Sequence, residues 1–552
     1  MDDCFPDFQA SCGLPFPVVP TDRNRLNPAE TTSAMMDAGD IGSRLYGACS
    51  IETSRAAGAL HAAHRDAEGF LDAVDGFATP EFWRRDIAVK SWIYDRRDIR
   101  HAPDRDMDSV RVFYHAGQGR MDDRGTFHLP MGALWSGADG CLSSDRMQFG
   151  GNALRYLFWS ASQSLQVGPG HSPMRSWGEA NAGLRMLFGF DTACWDSGQY
   201  GRNFWRHWRM GKAFSQSWLD ACRDVAADQS PVVAACADSP EAALAILFDE
   251  RRFHAAPSPG ACWAWRWQVT AGHHPRASRL RCPPVQVSAV RLMPVAEDHA
   301  LAERVLAALG ENPARLRWRD GGALVLGRDQ VRFQHFADGR ILLELRPGAP
   351  AGQPRMALER RTLISRARNA LHHYGFLHPD HEVAFDRVLL SMSGTARRDR
   401  PDLPRKDSLD EVVVRFRQIV GGMPVLTPDA GSLWLTMRPD GTVLRIESSL
   451  RGVIEQLPPR AGLTEDPPPP SDVPLVEPPE IPQRLAQHSA RLMRDLAARG
   501  AAPLNHSVLP GTVEIGYGIR SNTARLVARK AIEIECLRGF RKRYWIQSDL
   551  GD

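Results

Sequence analysis

Val112-Phe113-Tyr114-His115-Ala116-Gly117-Gln118-Gly119 and Tyr156-Leu157-Phe158-Trp159-Ser160-Ala161-Ser162-Gln163-Ser164 are two apolar runs, each giving way to small or hydroxyl residues. A short apolar run bounded in this way reads as a strand buried on both faces. In an open α/β sheet, ligands bind beyond the carboxyl ends of the strands, so the two following loops are where a site would be built. The neighbouring pattern agrees. Helix-like stretches at Ser54–Ala73, Met174–Leu187 and Asn203–Ala226 alternate with strand-like ones at Ser109–Tyr114 and Ala153–Trp159. That alternation predicts an α/β domain over residues 41–258, with a largely parallel sheet flanked by helices.

Working outward, residues 1–40 lack a clear period and read as an irregular N-terminal arm. The Trp-rich Ala261–Gln268 reads as a boundary strand, and residues 259–284 as a connection containing the Pro-bearing stretch Arg276–Val285. Residues 285–456 carry strands at Gln330–His335, Arg340–Leu345, Glu411–Val420, Ser432–Met437 and Val443–Glu447, with a helix at Ala357–Tyr374. This region reads as α+β, and Pro439-Asp440-Gly441 marks a turn because Pro fixes φ and Gly supplies the positive one. The unbroken Pro467–Pro470 makes residues 457–483 a semi-rigid linker. Residues 484–552 read as a C-terminal α+β module, with an amphipathic helix at Arg484–Arg499 and strands at Val513–Gly516 and Ala531–Leu537.

A chain of 552 residues is past the size at which one core stops growing, so two to four domains are expected. A hydrophobic fraction of 43%, with 15 Trp and 22 Phe, excludes wholesale disorder. The balance of 68 Lys and Arg against 65 Asp and Glu supplies no field favouring nucleic acid or an anionic membrane. The basic cluster Arg538, Arg541, Lys542 and Arg543 lies among Phe540, Tyr544 and Trp545 and reads as a strand with one solvated face. A nucleic-acid binder would use that same cluster. Met1–Pro20 has no basic segment followed by an apolar run, and no window approaches a spanning length. The expectation is a cytoplasmic protein that does not cross a membrane. The ten cysteines occur singly, which signals neither zinc nor a disulfide framework, and no cofactor is expected. The pairs His273-His274 and His372-His373 have no third ligand in spacing, so no metal site is expected.

The two strand ends resemble the caspase-like clan of cysteine peptidases (caspases, legumains and gingipains), and especially an uncharacterised bacterial branch of it. Gly189-Phe190-Asp191-Thr192 and Gly201-Arg202-Asn203-Phe204-Trp205 are similar to that branch too, and the resemblance spans roughly residues 44–225. It implies that one strand ends in His-Gly, the general base, and the next in Ala-Cys, the nucleophile. Here Gln118 and Ser162 stand at those two positions. Thiolate attack needs an ionisable sulfur and a base that takes a proton near neutral pH, and an amide beside a hydroxyl offers neither. His115, three residues upstream, is the alternative base, with Ser162 or Ser164 as nucleophile and backbone N–H groups as an oxyanion hole.

Cys141 and Cys194 are the nearest alternative thiols, and Cys194 reads as a pocket wall. Asp95, Asp191, Asp196 and Arg202 fall in loops of the same rim, where such residues select the side chain before the cut in active members of the clan; here they are candidate binding residues. The second half, with Thr362–Tyr374 followed by antiparallel strands and with Gln418-Ile419-Val420-Gly421-Gly422-Met423-Pro424-Val425, is similar to PepSY-type modules. Arg484–Trp545 reads as a diverged second copy. Such modules carry no catalytic residues and act as inhibitory, chaperoning or protein-binding wings. The resulting expectation is a pseudoenzyme with a degenerate dyad that binds a protein or peptide partner as scaffold or regulator. The alternative is an active peptidase or hydrolase using Ser162, or an unrecognised Cys, with His115.

Overall fold

A computed structural model describes residues 45–75, 79–95, 106–132, 140–271, 289–313, 324–328, 330–347, 358–378, 381–400, 406–457, 480–500 and 502–550. The expected N-terminal arm, most of the Pro-rich linker and His273-His274 lie outside these residues.

Five strands run parallel in the spatial order β2 (Phe82–Arg85), β1 (Tyr46–Ser50), β3 (Val112–Ala116), β7 (Tyr156–Ser160) and β8 (Met186–Phe190). Alternation along them divides the core in two. Phe113, Leu157, Trp159 and Leu187 enter one apolar cluster, while Tyr114, Tyr156, Phe158 and Phe188 enter the other. The second cluster is covered by α1 (Ala63–Asp75), α3 (Tyr200–Arg209), α4 (Phe214–Val225) and α5 (Pro240–Asp249), through Phe70, Phe204, Trp205, Trp218 and Leu247. The opposite face is covered mainly by a small sheet of β4 (Arg120–Met121), β5 (Phe127–Pro130) and β6 (Cys141–Ser143), together with the short α2 (Pro173–Trp177).

The sheet does not end with the first domain. β9 (Pro231–Ala237) and β10 (Cys262–Thr270) add antiparallel strands, and β10 pairs onward with β15 (Val383–Arg397). It continues through β16 (Lys406–Val420), β18 (Ser432–Met437), β19 (Val443–Ser448), β14 (Ile341–Leu345), β13 (Val331–His335) and β12 (Leu324–Arg328), all antiparallel. The architecture is therefore mixed α/β with one long mixed sheet, and the expected parallel character holds only for its first five strands. The boundary strand Ala261–Gln268 forms, but as a bridge between two halves of one sheet. α6 (Ala300–Ala308) and α7 (Arg360–His373) pack on the antiparallel half, extending the first apolar cluster with Val305, Leu363 and Leu371.

A second sheet gathers β11 (Ala289–Leu292), β20 (Val453–Leu457), β21 (Asn505–Val508), β22 (Glu514–Arg520), β23 (Thr523–Glu535) and β24 (Arg541–Asp549). The amphipathic helix α8 (Glu480–Arg499) buries Leu485 and Leu496 against it. The Gln418–Val425 stretch is a strand end, a turn of two positive-φ glycines and the short return strand β17 (Met423–Pro424), which pairs with β16.

Two helix expectations fail. Met174–Leu187 is helical only to Trp177, with Ser172 Oγ capping the first turn, and its end becomes β8 because Met186, Leu187 and Phe188 fill a central position in the sheet. Asn203–Ala226 is two helices, broken where Gly211 takes a φ of +85°, a left-handed value that ends a helix. The helix expected from Ser54 begins only at Ala63. No helix among the described residues is long and apolar enough to cross a membrane.

Candidate functional site

β3 and β7 are adjacent and in register, with His115 opposite Trp159 and Ala116 opposite Ser160. The pairing continues one step past the strands, where Gly117 N donates to Ser160 O at 3.1 Å. The loop after β7 then crosses to the loop after β8. Gln163, at a φ of 54°, donates through its N to Thr192 O at 3.0 Å, and Leu165 N donates to Phe190 O at 2.9 Å. This crossing places Ser162 Oγ 3.6 Å from Cys194 Sγ, with Cys194 N donating to the hydroxyl at 3.1 Å. Gly119 closes the other side, since a Cβ there would lie 2.9 Å from Ser162 O. Ser162 and Cys194 are therefore in direct contact, with Gly119 of the loop after β3 beside them, in one cleft.

That cleft is filled by the protein's own last strand. Ser162 Oγ donates to Arg541 O at 2.8 Å. Arg543 N donates to Cys194 O at 3.1 Å, and Asp196 N donates to Arg543 O at 2.9 Å, so β24 adds beside residues 194–196 as a short parallel pairing. Between these bonds Lys542 enters the cleft, donating from Nζ to Gly117 O and to Cys194 Sγ, both at 3.1 Å. Trp195 and Trp545 stack alongside with ring centroids 4.4 Å apart. The basic strand thus does not present all its charges to solvent. Arg541 is exposed, whereas Lys542 alternates with Tyr544 and Ile546 on the buried face.

Below the cleft Asp66, on α1, accepts from Ser160 Oγ at 2.6 Å, Tyr114 OH at 2.8 Å and Gly201 N at 3.0 Å. Burial pushes its carboxyl up to about 6, against these bonds and the Lys542 charge. Asp196 is likewise raised by burial and accepts from His61 N at 2.7 Å. His115 is fully buried, with Nδ1 2.8 Å from Tyr94 OH. Burial first, and Lys542 second, lower its pKa to about 3, so the imidazole is neutral and a weak base at neutral pH. Gln118 is buried as well, and its Oε1 meets no partner among the described residues.

Three of the remaining candidates bond within the same domain. Asp95 holds Arg146 at 2.7 Å, and Asp191 Oδ1 accepts from Val167 N at 2.9 Å. Ser164 Oγ donates to Ala161 O at 2.9 Å. Arg202 is exposed on α3 beside Gly69 of α1, and Cys141 is half-buried on β6. Two residues of the site escaped the sequence reading, Asp66 and Lys542. The signal was the placement of each in an apolar face: Asp66 one helical turn from Phe70, and Lys542 in the alternating series Phe540, Lys542, Tyr544, Ile546. Elsewhere His207, Asp220 and Glu447 bring ligand atoms within 4.8 Å of one another. Lys212 Nζ occupies the centre, 2.7 Å from both carboxylates and 2.9 Å from His207 Nδ1, so an ammonium takes the place a metal ion would have.

Residues 49–250 match a domain of unknown function, DUF6345. The match covers the chain from β1 to the end of α5, and so includes Gln118, Ser162 and Cys194 but not β24. No curated protein matches the chain.

Proposed function

We propose that this is a catalytically silent, caspase-like protein whose cleft is closed by its own C-terminal strand, and that it acts by binding another polypeptide as a scaffold or regulator. The observation that carries the reading is the state of Ser162. Its hydroxyl proton is committed to the Arg541 carbonyl, and the alternative base, His115, is neutral, buried and bonded to Tyr94. Supporting the caspase-like assignment, the two dyad positions follow neighbouring parallel strands, as the resemblance requires. In this reading the C-terminal module is a PepSY-like inhibitory wing, and the backbone of Cys194–Asp196 is a strand-accepting edge. Strand addition supplies affinity through main-chain bonds and specificity through alternate side chains, which makes a protein or peptide the natural partner. No cofactor, nucleic acid or membrane enters the proposal. The test is exposure of the full-length protein to a fluorophosphonate and to a peptidyl acyloxymethyl ketone, with mass-spectrometric readout. No covalent adduct is expected. Stoichiometric labelling abolished by Ser162→Ala or Cys194→Ala would replace the reading with an active hydrolase.

A further inference from the structure

A cavity far in sequence from the dyad lies where α4, the β15–β16 hairpin and the C-terminal sheet meet. Its walls include Arg223, Arg387, Arg415, Arg417 and Arg529. Arg415 and Arg417 alternate on β16 and so share a face, and Arg387 is the register partner of Arg415. A bulge between Phe385 and Arg387 turns Asp386 into the same group, where its Oδ2 lies 2.9 Å from Arg387 Nε, 3.3 Å from Arg415 Nη1 and 3.3 Å from Arg417 Nε. Glu514 takes Arg417 Nη1 and Arg529 Nη2, each at 2.8 Å. Asp228, also in the wall, accepts from Trp195 Nε1 at 3.1 Å.

Five guanidiniums thus face three carboxylates. Arg223 does bind Asp220 and Glu447, but those two acids also neutralise Lys212 and Arg445, so they have no charge to spare. Around the cavity the positive charges exceed the negative ones by two, from buried Arg415 to partly exposed Arg387, and unbalanced charge held out of water is costly. Arg415 is the centre of it. Its Nε is buried without an acceptor among the described residues, and burial together with Arg417, Arg387 and Arg529 holds its pKa down to about 9. Guanidinium forks match tetrahedral oxyanions in geometry and in charge. The cavity is small, leaving about 30 Å³ to the centre of a water-sized sphere, and it is lined by polar groups that include Thr512.

We propose that this cavity binds a small tetrahedral oxyanion, phosphate or sulfate, either as the free ion or as the end group of an ester whose remainder occupies the mouth. The proposal is independent of the reading of the dyad cleft. It is tested on the full-length protein by calorimetric titration and thermal melting with inorganic phosphate, sulfate and phenyl phosphate, against chloride at equal ionic strength. Saturable one-to-one binding at about 1 mM or tighter is expected, with a matching rise in melting temperature. Arg415→Met is expected to weaken binding about tenfold or more, and Arg387→Gln, nearer the surface, to weaken it while leaving the fold intact in chloride. Phosphate or sulfate binding alone supports the free ion, and additional phenyl phosphate binding supports the ester. No saturable binding of any of the three at about 20 mM, or binding indifferent to the Arg387 substitution, overturns the proposal.

Discussion

Replacing Asp66 by Asn tests whether the floor of the cleft is as dry as its geometry implies. The Asp66 carboxyl, ordinarily at 3.8, is held at about 6 chiefly by burial. The native state then binds the proton more tightly than the unfolded chain. Its contribution to stability is fully present at acid pH, below the ordinary value, and is lost as pH rises through about 6. At 1.36 kcal/mol per pKa unit the whole loss is about 3 kcal/mol, of which about 1.4 kcal/mol falls between pH 5 and 8. Asn cannot titrate. Its amide also places a donor among the donors of Ser160, Tyr114 and Gly201, which adds a pH-independent cost of about 1–3 kcal/mol. Urea unfolding of both proteins at pH 5, 6, 7 and 8 should therefore show the variant less stable throughout, with its deficit shrinking by about 1.4 kcal/mol across the range. The difference is the necessary observable, because His115, His207 and His335, held down to about 3, 4 and 4, make both proteins gain stability as pH rises. A deficit constant to within about 0.3 kcal/mol would refute the argument by showing that Asp66 is ionised and solvated.

Lys542→Met removes the donor to Gly117 O and the charge beside Asp66 and Asp196, and should cost about 2 kcal/mol in urea while moving both carboxyls further up; wild-type stability would show that the strand only rests in the cleft. The His115 imidazole should give no proton-linked NMR shift between pH 5 and 8, and a titration near 6.5 would restore it as a candidate base. Trp545→Ala breaks the stack on Trp195 and the Arg529 cation–π contact, and should cost about 3 kcal/mol with faster hydrogen exchange at the Arg543 and Asp196 amides. An exchange rate unchanged by that substitution would mean that the stack does not hold β24 in place.

Much of the first domain was legible because its strands are unambiguous. The apolar runs ending at Ala116 and Ser160 have no alternative to a position buried on both faces, though the cover expected to be helical is mainly a small sheet on one side, and their small-residue ends mark where the strands stop. The same clarity was missing at Met186–Phe190, where an apolar run follows a real helical turn and period alone does not separate buried strand from buried helix. The identities of Gln118 and Ser162 could be read directly; the entry of Lys542 between Gly117 and Cys194 could not.

The sequence by itself determined most of the strands, the parallel run implied by alternating strand and helix, and the residues Gln118 and Ser162 in the loops after β3 and β7. Only the tertiary structure decided that the sheet runs unbroken from β2 to β12, that Asp66 lies under the cleft, and that β24 closes it. The reason is sequence separation. Lys542 meets Gly117 across 425 residues and Ser162 meets Arg541 across 379, and no periodicity within a strand or helix encodes which distant edge it will pair with. That choice is made by the whole set of burials that docks the C-terminal sheet against the first.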